Sequence, residues 1–96
     1  MPNTTNFFRL DNKIAIITGA SRGIGKSIAI AYAQHGAKVI VSSRKIDACQ
    51  EVVNHIRTCG GEATATAANI PDKSSLEELV RFSKDTYGEV DILVCN

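Results

Sequence analysis

The sequence predicts a three-layer α/β fold, a parallel four-stranded sheet in the order 3-2-1-4 with helices on both faces. Three observations carry this expectation. Short apolar or β-branched runs alternate with longer segments of helical periodicity, giving β-α-β-α-β-α-β. Each helical segment is stopped by glycine, at Gly36, Gly60-Gly61 and Gly88. Each is also long enough to serve as the crossover between parallel strands, and right-handed crossovers then set the strand order.

Residues 1–9 read as a lead-in, with Phe7, Phe8 and Leu10 packing on the sheet edge, and Asp11-Asn12-Lys13 as a polar turn. Ile14, Ile16 and Ile17 make residues 13–18 a buried strand. The first helix, over 23–35, places Ile24, Ile28, Ala31 and Tyr32 on one face, while Ala29, Ala31 and Ala33 allow close approach to the sheet. The second strand covers 37–42. Asp47 is expected to cap a helix over 48–59 with an apolar stripe of Cys49, Val52, Val53, Ile56 and Cys59. His55 falls off that stripe and His35 ends a helix, so both read as solvated. A third strand spans 62–68, and Asn69-Ile70-Pro71-Asp72 is a loop. Asp72 or Ser74 caps a third helix that buries Leu76, Leu79, Val80 and Ser83 ahead of a fourth strand at 90–94.

At 96 residues the chain is one small domain or part of a larger one. A net charge of +1 gives no bulk attraction to nucleic acid, and no basic run points to a membrane surface. No apolar stretch reaches membrane-spanning length, and residues 1–6 lack the cationic start and apolar core of a secretory signal. Cys49, Cys59 and Cys95 are odd in number and lack metal-site spacing. Reduced thiols in a cytoplasmic setting, with no metal site, are the expectation.

The stretch that organises the chain is Thr18-Gly19-Ala20-Ser21-Arg22-Gly23-Ile24-Gly25, a strand end running through a glycine turn into a helix. The first amides of a helix have no intrahelical partner, and its dipole adds partial positive charge there. Glycine lets a diphosphate approach the backbone closely. The eight residues resemble the cofactor motif of the short-chain dehydrogenase/reductase family, which implies a Rossmann-type fold. They put Gly19, Ser21, Arg22, Gly23, Ile24 and Gly25 at the cofactor, with main-chain amides between Thr18 and Gly25 around its diphosphate. Residues 88–96, Gly-Glu-Val-Asp-Ile-Leu-Val-Cys-Asn, resemble the family's fourth-strand motif, with Cys95 in place of an asparagine. The resemblance implies that this segment ties back to Thr18, that Asn96 borders the nicotinamide-side ribose, and that Asp91 steadies the sheet rather than acting as a base.

The end of the second strand selects the dinucleotide, because a carboxylate there binds a free ribose 2′-hydroxyl and repels a 2′-phosphate. This chain has Ser43 and Arg44 followed by Lys45, a hydroxyl and a guanidinium suited to phosphate. The expected cofactor is NADP(H) in preference to NAD(H); the other reading is that Arg44 and Lys45 only solvate a loop. Asn69 either closes its loop onto Pro71 or, by resemblance, accepts a hydrogen bond from the adenine amino group while Ile70 packs near the ring.

No catalytic residue is assigned. The family's serine and Tyr-x-x-x-Lys are not found: four residues after Tyr32 stands Gly36, and four after Tyr87 stands Asp91. Residues 1–96 therefore read as a truncated NAD(P)-binding Rossmann domain without the catalytic C-terminal part. By itself it is expected to give no turnover and to be poorly stable, with the fourth strand as an exposed edge. For the parent, the resemblance implies hydride transfer between nicotinamide and a small carbonyl or alcohol substrate, and a homo-oligomer. Val-Ser-Ser-Arg-Lys and Val-Cys-Asn resemble the branch of dehydrogenase/reductase member 4-like carbonyl reductases. A 3-oxoacyl-acyl-carrier-protein reductase and a non-catalytic nucleotide-binding module are the alternatives.

Overall fold

A computed structural model describes residues 10–67 and 73–95. The expectations placed on Phe7, Phe8, Asn69, Ile70, Asp72 and Asn96 lie outside the described residues. The elements run β1 (Ile14–Thr18), α1 (Gly23–Gln34), β2 (Lys38–Ser43), α2 (Ile46–Thr58), β3 (Glu62–Ala67), α3 (Lys73–Thr86) and β4 (Ile92–Val94). The sheet is parallel in the order β3-β2-β1-β4, as the alternation predicts.

All five residues of β1 are buried because β1 and β2 lie centrally with helices on both faces. Successive side chains divide the core. Ile17, Val39, Val41 and Ala63 meet α1 and α2 on one face. Ile16 and Ile40, paired across β1 and β2, meet Leu79 of α3 on the other.

The helix faces correct the sequence reading in three places. On α1 the buried line is Gly25, Ala29 and Ala33, while Ile24 is 72% exposed. The smallest residues, spaced by four, bring the helix backbone against the sheet, and Ile28 and Tyr32 pack along the flank. On α2 the stripe Cys49, Val52, Val53 and Ile56 is buried, but Cys59 sits at the C-cap and is exposed. Asp47 lies within the first turn rather than at the cap; Lys45 holds that position without a side-chain cap bond. On α3 Leu79 and Ser83 are buried and Val80, about 100° further round the helix, is exposed. The Ser42 and Ser83 hydroxyls, both on the α3 side, are buried without a partner among the described residues.

β4 is shorter than the predicted 90–94 because Asp91 serves as a pin. Its amide donates to the Ile14 carbonyl at 2.9 Å, and its carboxylate Oδ2 accepts the Ile14 amide at 2.9 Å. The carboxylate thus extends the ladder that joins β4 to β1, which is the sheet-steadying role expected for it.

Tyr87, just after α3, closes the α3 side. Its hydroxyl bonds Thr64 Oγ1 at 2.8 Å and donates to Glu62 Oε1 at 3.2 Å, and Lys38 Nζ lies 5.8 Å from its ring centre. Burial pushes the phenol above its ordinary value of 10.0, with the Glu62 carboxylate adding to the rise and the Thr64 bond opposing it. An acid raised on folding stabilises fully below its unfolded value, and that contribution is lost as pH climbs through the folded one. The stability advantage of the wild type over Tyr87→Phe is therefore expected to hold up to about pH 10 and shrink above it. Urea midpoints of both proteins from pH 8 to 11 measure this, and a constant difference would contradict it.

Candidate functional site at the carboxyl edge of the sheet

The chain leaves β1 at Thr18 and turns through Gly19 and Gly23, whose φ angles of 62° and 64° lie in the left-handed region that favours glycine. A Cβ at Gly23 would meet nothing within 4 Å, so the backbone conformation and not crowding calls for glycine there. Ala20 is fully buried, and its amide donates to the Ser42 carbonyl at 3.1 Å. This bond ties the turn to the end of β2. Among the main-chain amides between Thr18 and Gly25 expected around a diphosphate, that of Ala20 is thereby committed to the scaffold.

The start of α1 keeps its partial positive charge. Arg22, the N-cap, is extended and offers no side-chain cap, and the first turn carries no acidic residue. Its first backbone bond, Lys26 amide to Arg22 carbonyl, is long at 3.4 Å. Arg22, Gly23 and Ile24 are exposed, Ser21 is half-buried and Gly25 is buried against the sheet. Ile24 thus leaves an apolar side chain in solvent beside a helix start without a side-chain cap.

β4 arrives beside this turn. The Thr18 hydroxyl donates to the Val94 carbonyl at 3.3 Å, the tie-back that the sequence reading expected, and Cys95 follows exposed. Strand order reverses between β1 and β4, so the turn sits at the switch point where crevices of open α/β sheets take ligands.

At the neighbouring end of β2, Ser43 is half-buried while Arg44 and Lys45 are exposed. Among the described residues no carboxylate stands at this strand end. Ser43 Oγ accepts the Lys45 amide at 3.1 Å, lies 3.3 Å from the Lys45 carbonyl as a donor, and is 3.1 Å from Cys49 Sγ. The serine, not Asp47, therefore organises the entry into α2. The sequence reading gave Cys49 a purely packing role, and its contact with Ser43 was missed; a polar-capable residue six positions after the strand end was the only signal.

Gly19, Ser21, Arg22, Gly23, Ile24 and Gly25 thus share one edge with Ser43 and Arg44, the two strands being joined by the Ala20–Ser42 bond. The arrangement can hold an anion at the helix start and a second acidic group beside Arg44. A cavity of about 350 Å³ lies instead at the opposite edge, lined by Gln34, Gly36, His55, Cys59 and Gly61. No residue of the glycine turn borders it. Among the described residues no three His, Cys, Asp or Glu side chains converge as metal ligands, and no helix is long and apolar enough to cross a membrane.

Comparison with known proteins places this geometry. Residues 13–96 match the family described as short chain dehydrogenase. The 7alpha-hydroxysteroid dehydrogenase of Escherichia coli strain K12 is 48% identical over 96 residues, all of this chain and 37% of the relative. A solved 7alpha-hydroxysteroid dehydrogenase, complexed with NADH and 7-oxo glycochenodeoxycholic acid, superposes with a TM-score of 0.88 at 47% identity. That match covers 97% of this chain and 36% of the other. A metagenomic short-chain oxidoreductase in complex with NADP gives a TM-score of 0.82 at 31% identity, over 88% of this chain and 38% of the other. The chain spans a little over a third of the length of these relatives.

Proposed function

The chain belongs to the short-chain dehydrogenase family, and from that premise we propose that it is the NADP(H)-binding portion of an oxidoreductase acting on a small carbonyl or alcohol substrate. The observation that carries this reading is the uncapped, acid-free start of α1 behind a positive-φ glycine turn, at the switch point beside β4. Solved relatives are complexed with NADH in one case and NADP in another, so the choice rests on this chain's own β2 end. There, a serine and an arginine stand where selection against a 2′-phosphate would use a carboxylate.

When bound, the dinucleotide supplies hydride exchange with the substrate carbon. This chain's residues bind and orient. The amides at the start of α1 and the Ser21 hydroxyl would hold the diphosphate, Arg44 and Ser43 would meet the 2′-phosphate, and Asn69 and Ile70 would serve the adenine. Asn96 would serve the nicotinamide-side ribose, and the exposed Arg22 and Ile24 would pack on the bound cofactor. The proton donor, a tyrosine with its lysine, lies in the remainder of the parent, so residues 1–96 form a cofactor-binding domain without turnover of their own. The parent works as a homo-oligomer in a cytoplasmic, reducing setting that leaves Cys49, Cys59 and Cys95 as thiols, and it binds neither nucleic acid nor membrane. A member 4-like carbonyl reductase and a 3-oxoacyl-acyl-carrier-protein reductase both fit this cofactor half.

Calorimetric titration of the polypeptide that carries this sequence tests the reading. NADPH is expected to bind at least about tenfold more tightly than NADH, the gap narrowing as salt rises. Binding of neither dinucleotide, or tighter binding of NADH, would remove it.

A further inference from the structure

We infer that the cavity at the amino edge of the sheet, away from the glycine turn, is a second ligand site and takes a small organic cation with an apolar body. The inference does not depend on which dinucleotide the carboxyl edge binds.

Each crossover helix runs antiparallel to the strands it joins, so helix starts share the carboxyl edge and helix ends share the amino edge. The partial charge that draws an anion to the start of α1 therefore has a negative counterpart on the opposite edge. Two such ends meet at the cavity. α1 finishes at Gln34 and α2 at Thr58, and Gln34 and the C-cap Cys59 both line it. Gly36 and Gly60, with φ of 97° and 89°, turn the chain there without placing a side chain over the helix ends. The last turn of α1 carries no basic residue. Arg57, in the last turn of α2, donates through Nε to the Ala63 carbonyl at 3.0 Å.

Side-chain charge has the same sign. Lys38 and Glu62 border the cavity, but both are engaged at Tyr87. The ammonium lies 5.8 Å from the ring centre, and Oε1 accepts the phenol at 3.2 Å. Their opposite charges offset one another. Asp11 then adds an exposed carboxylate to the wall. Ile30, Ala33 and Ile56 continue the core between α1 and α2 as an apolar floor. The volume of about 350 Å³ lies within the range of small-molecule pockets. An apolar floor beside one carboxylate and two helix ends selects a ring-sized body that carries an ammonium or guanidinium group.

Three probes with one ring and different charge test this: benzylamine, benzyl alcohol and benzoate. Each is titrated into the full polypeptide at pH 8, above the ordinary imidazole range. Amide NMR shifts of Gly36, Gly60 and Gly61 are the readout, with Gly19 and Gly23 reporting on the other edge. Benzylamine is expected to shift the first three saturably and to bind about tenfold more tightly than benzyl alcohol, with benzoate weaker still. Asp11→Asn is expected to weaken benzylamine about threefold and leave benzyl alcohol unchanged. Cys59→Trp, which fills the exposed wall, is expected to weaken both. Equal affinity for the three probes, no saturable shift, or shifts confined to Gly19 and Gly23 would overturn the inference.

Discussion

Arg44→Asp is expected to lower NADPH affinity about 100-fold while leaving NADH affinity the same or somewhat higher. Two effects add. The variant removes a charge-assisted contact, worth about 1.5–3 kcal/mol where it is well formed. It also sets a carboxylate against a phosphate, a like-charge approach that costs further. Arg44 is exposed, so solvent and salt reduce both contributions, and the figure applies at low ionic strength. The same carboxylate suits a free 2′-hydroxyl, which is why NADH does not lose. Titrations of wild type and variant with each dinucleotide, at low and high salt, read the effect. If NADPH bound the variant as it binds the wild type, Arg44 would be only a solvated loop residue.

The second large effect is on stability. Gly61→Ala is expected to cost about 2–3 kcal/mol, although the position sits in a turn. Gly61 donates its amide to the Ile56 carbonyl at 2.9 Å as the chain passes from α2 to β3. An added Cβ would lie 2.7 Å from Ile56 Cγ2 and 3.3 Å from Ala33 Cβ. Both neighbours are buried, and they belong to two different helices packed on one sheet face. Neither can yield without moving a helix. Ile56→Leu takes away the offending branch, so Gly61→Ala should cost clearly less on that background. Urea midpoints of the four proteins in this cycle decide it. Equal costs on the two backgrounds would show that crowding against Ile56 is not the cause.

The two glycine positions show where sequence reading works and where it stops. That Gly19 and Gly23 form a turn into a helix was legible, because glycine spacing after a β-branched run is local information. That Gly61 must be small for want of space was not, because the crowding comes from how the Ile56 side chain of α2 and, behind it, Ala33 of α1 are packed against the turn. The α1 face was read only in part, for a related reason: Ala29 and Ala33 lie against the sheet as expected, but Ile24 does not. Periodicity selects the largest side chains, whereas close approach to a sheet selects the smallest, so Ala29 and Ala33 went inside and Ile24 stayed out. At the site, Ser43 and Arg44 could be nominated from their place after the second strand. The bonds that occupy Ser43 Oγ, and the Ala20 amide committed to Ser42, could not.

By itself the sequence determined the order of elements, the parallel sheet in the order 3-2-1-4, and the glycine turn at its carboxyl edge. These follow from hydrophobic period, from breakers and from crossover handedness, all of which act along the chain. Only the tertiary structure decided that Ile24, Cys59 and Val80 stay outside the core, that the Ala20 amide is committed to Ser42, and that Cys49 touches Ser43. Those outcomes depend on how near separate segments come to one another, a distance set by side-chain volume and backbone hydrogen bonding across the sheet.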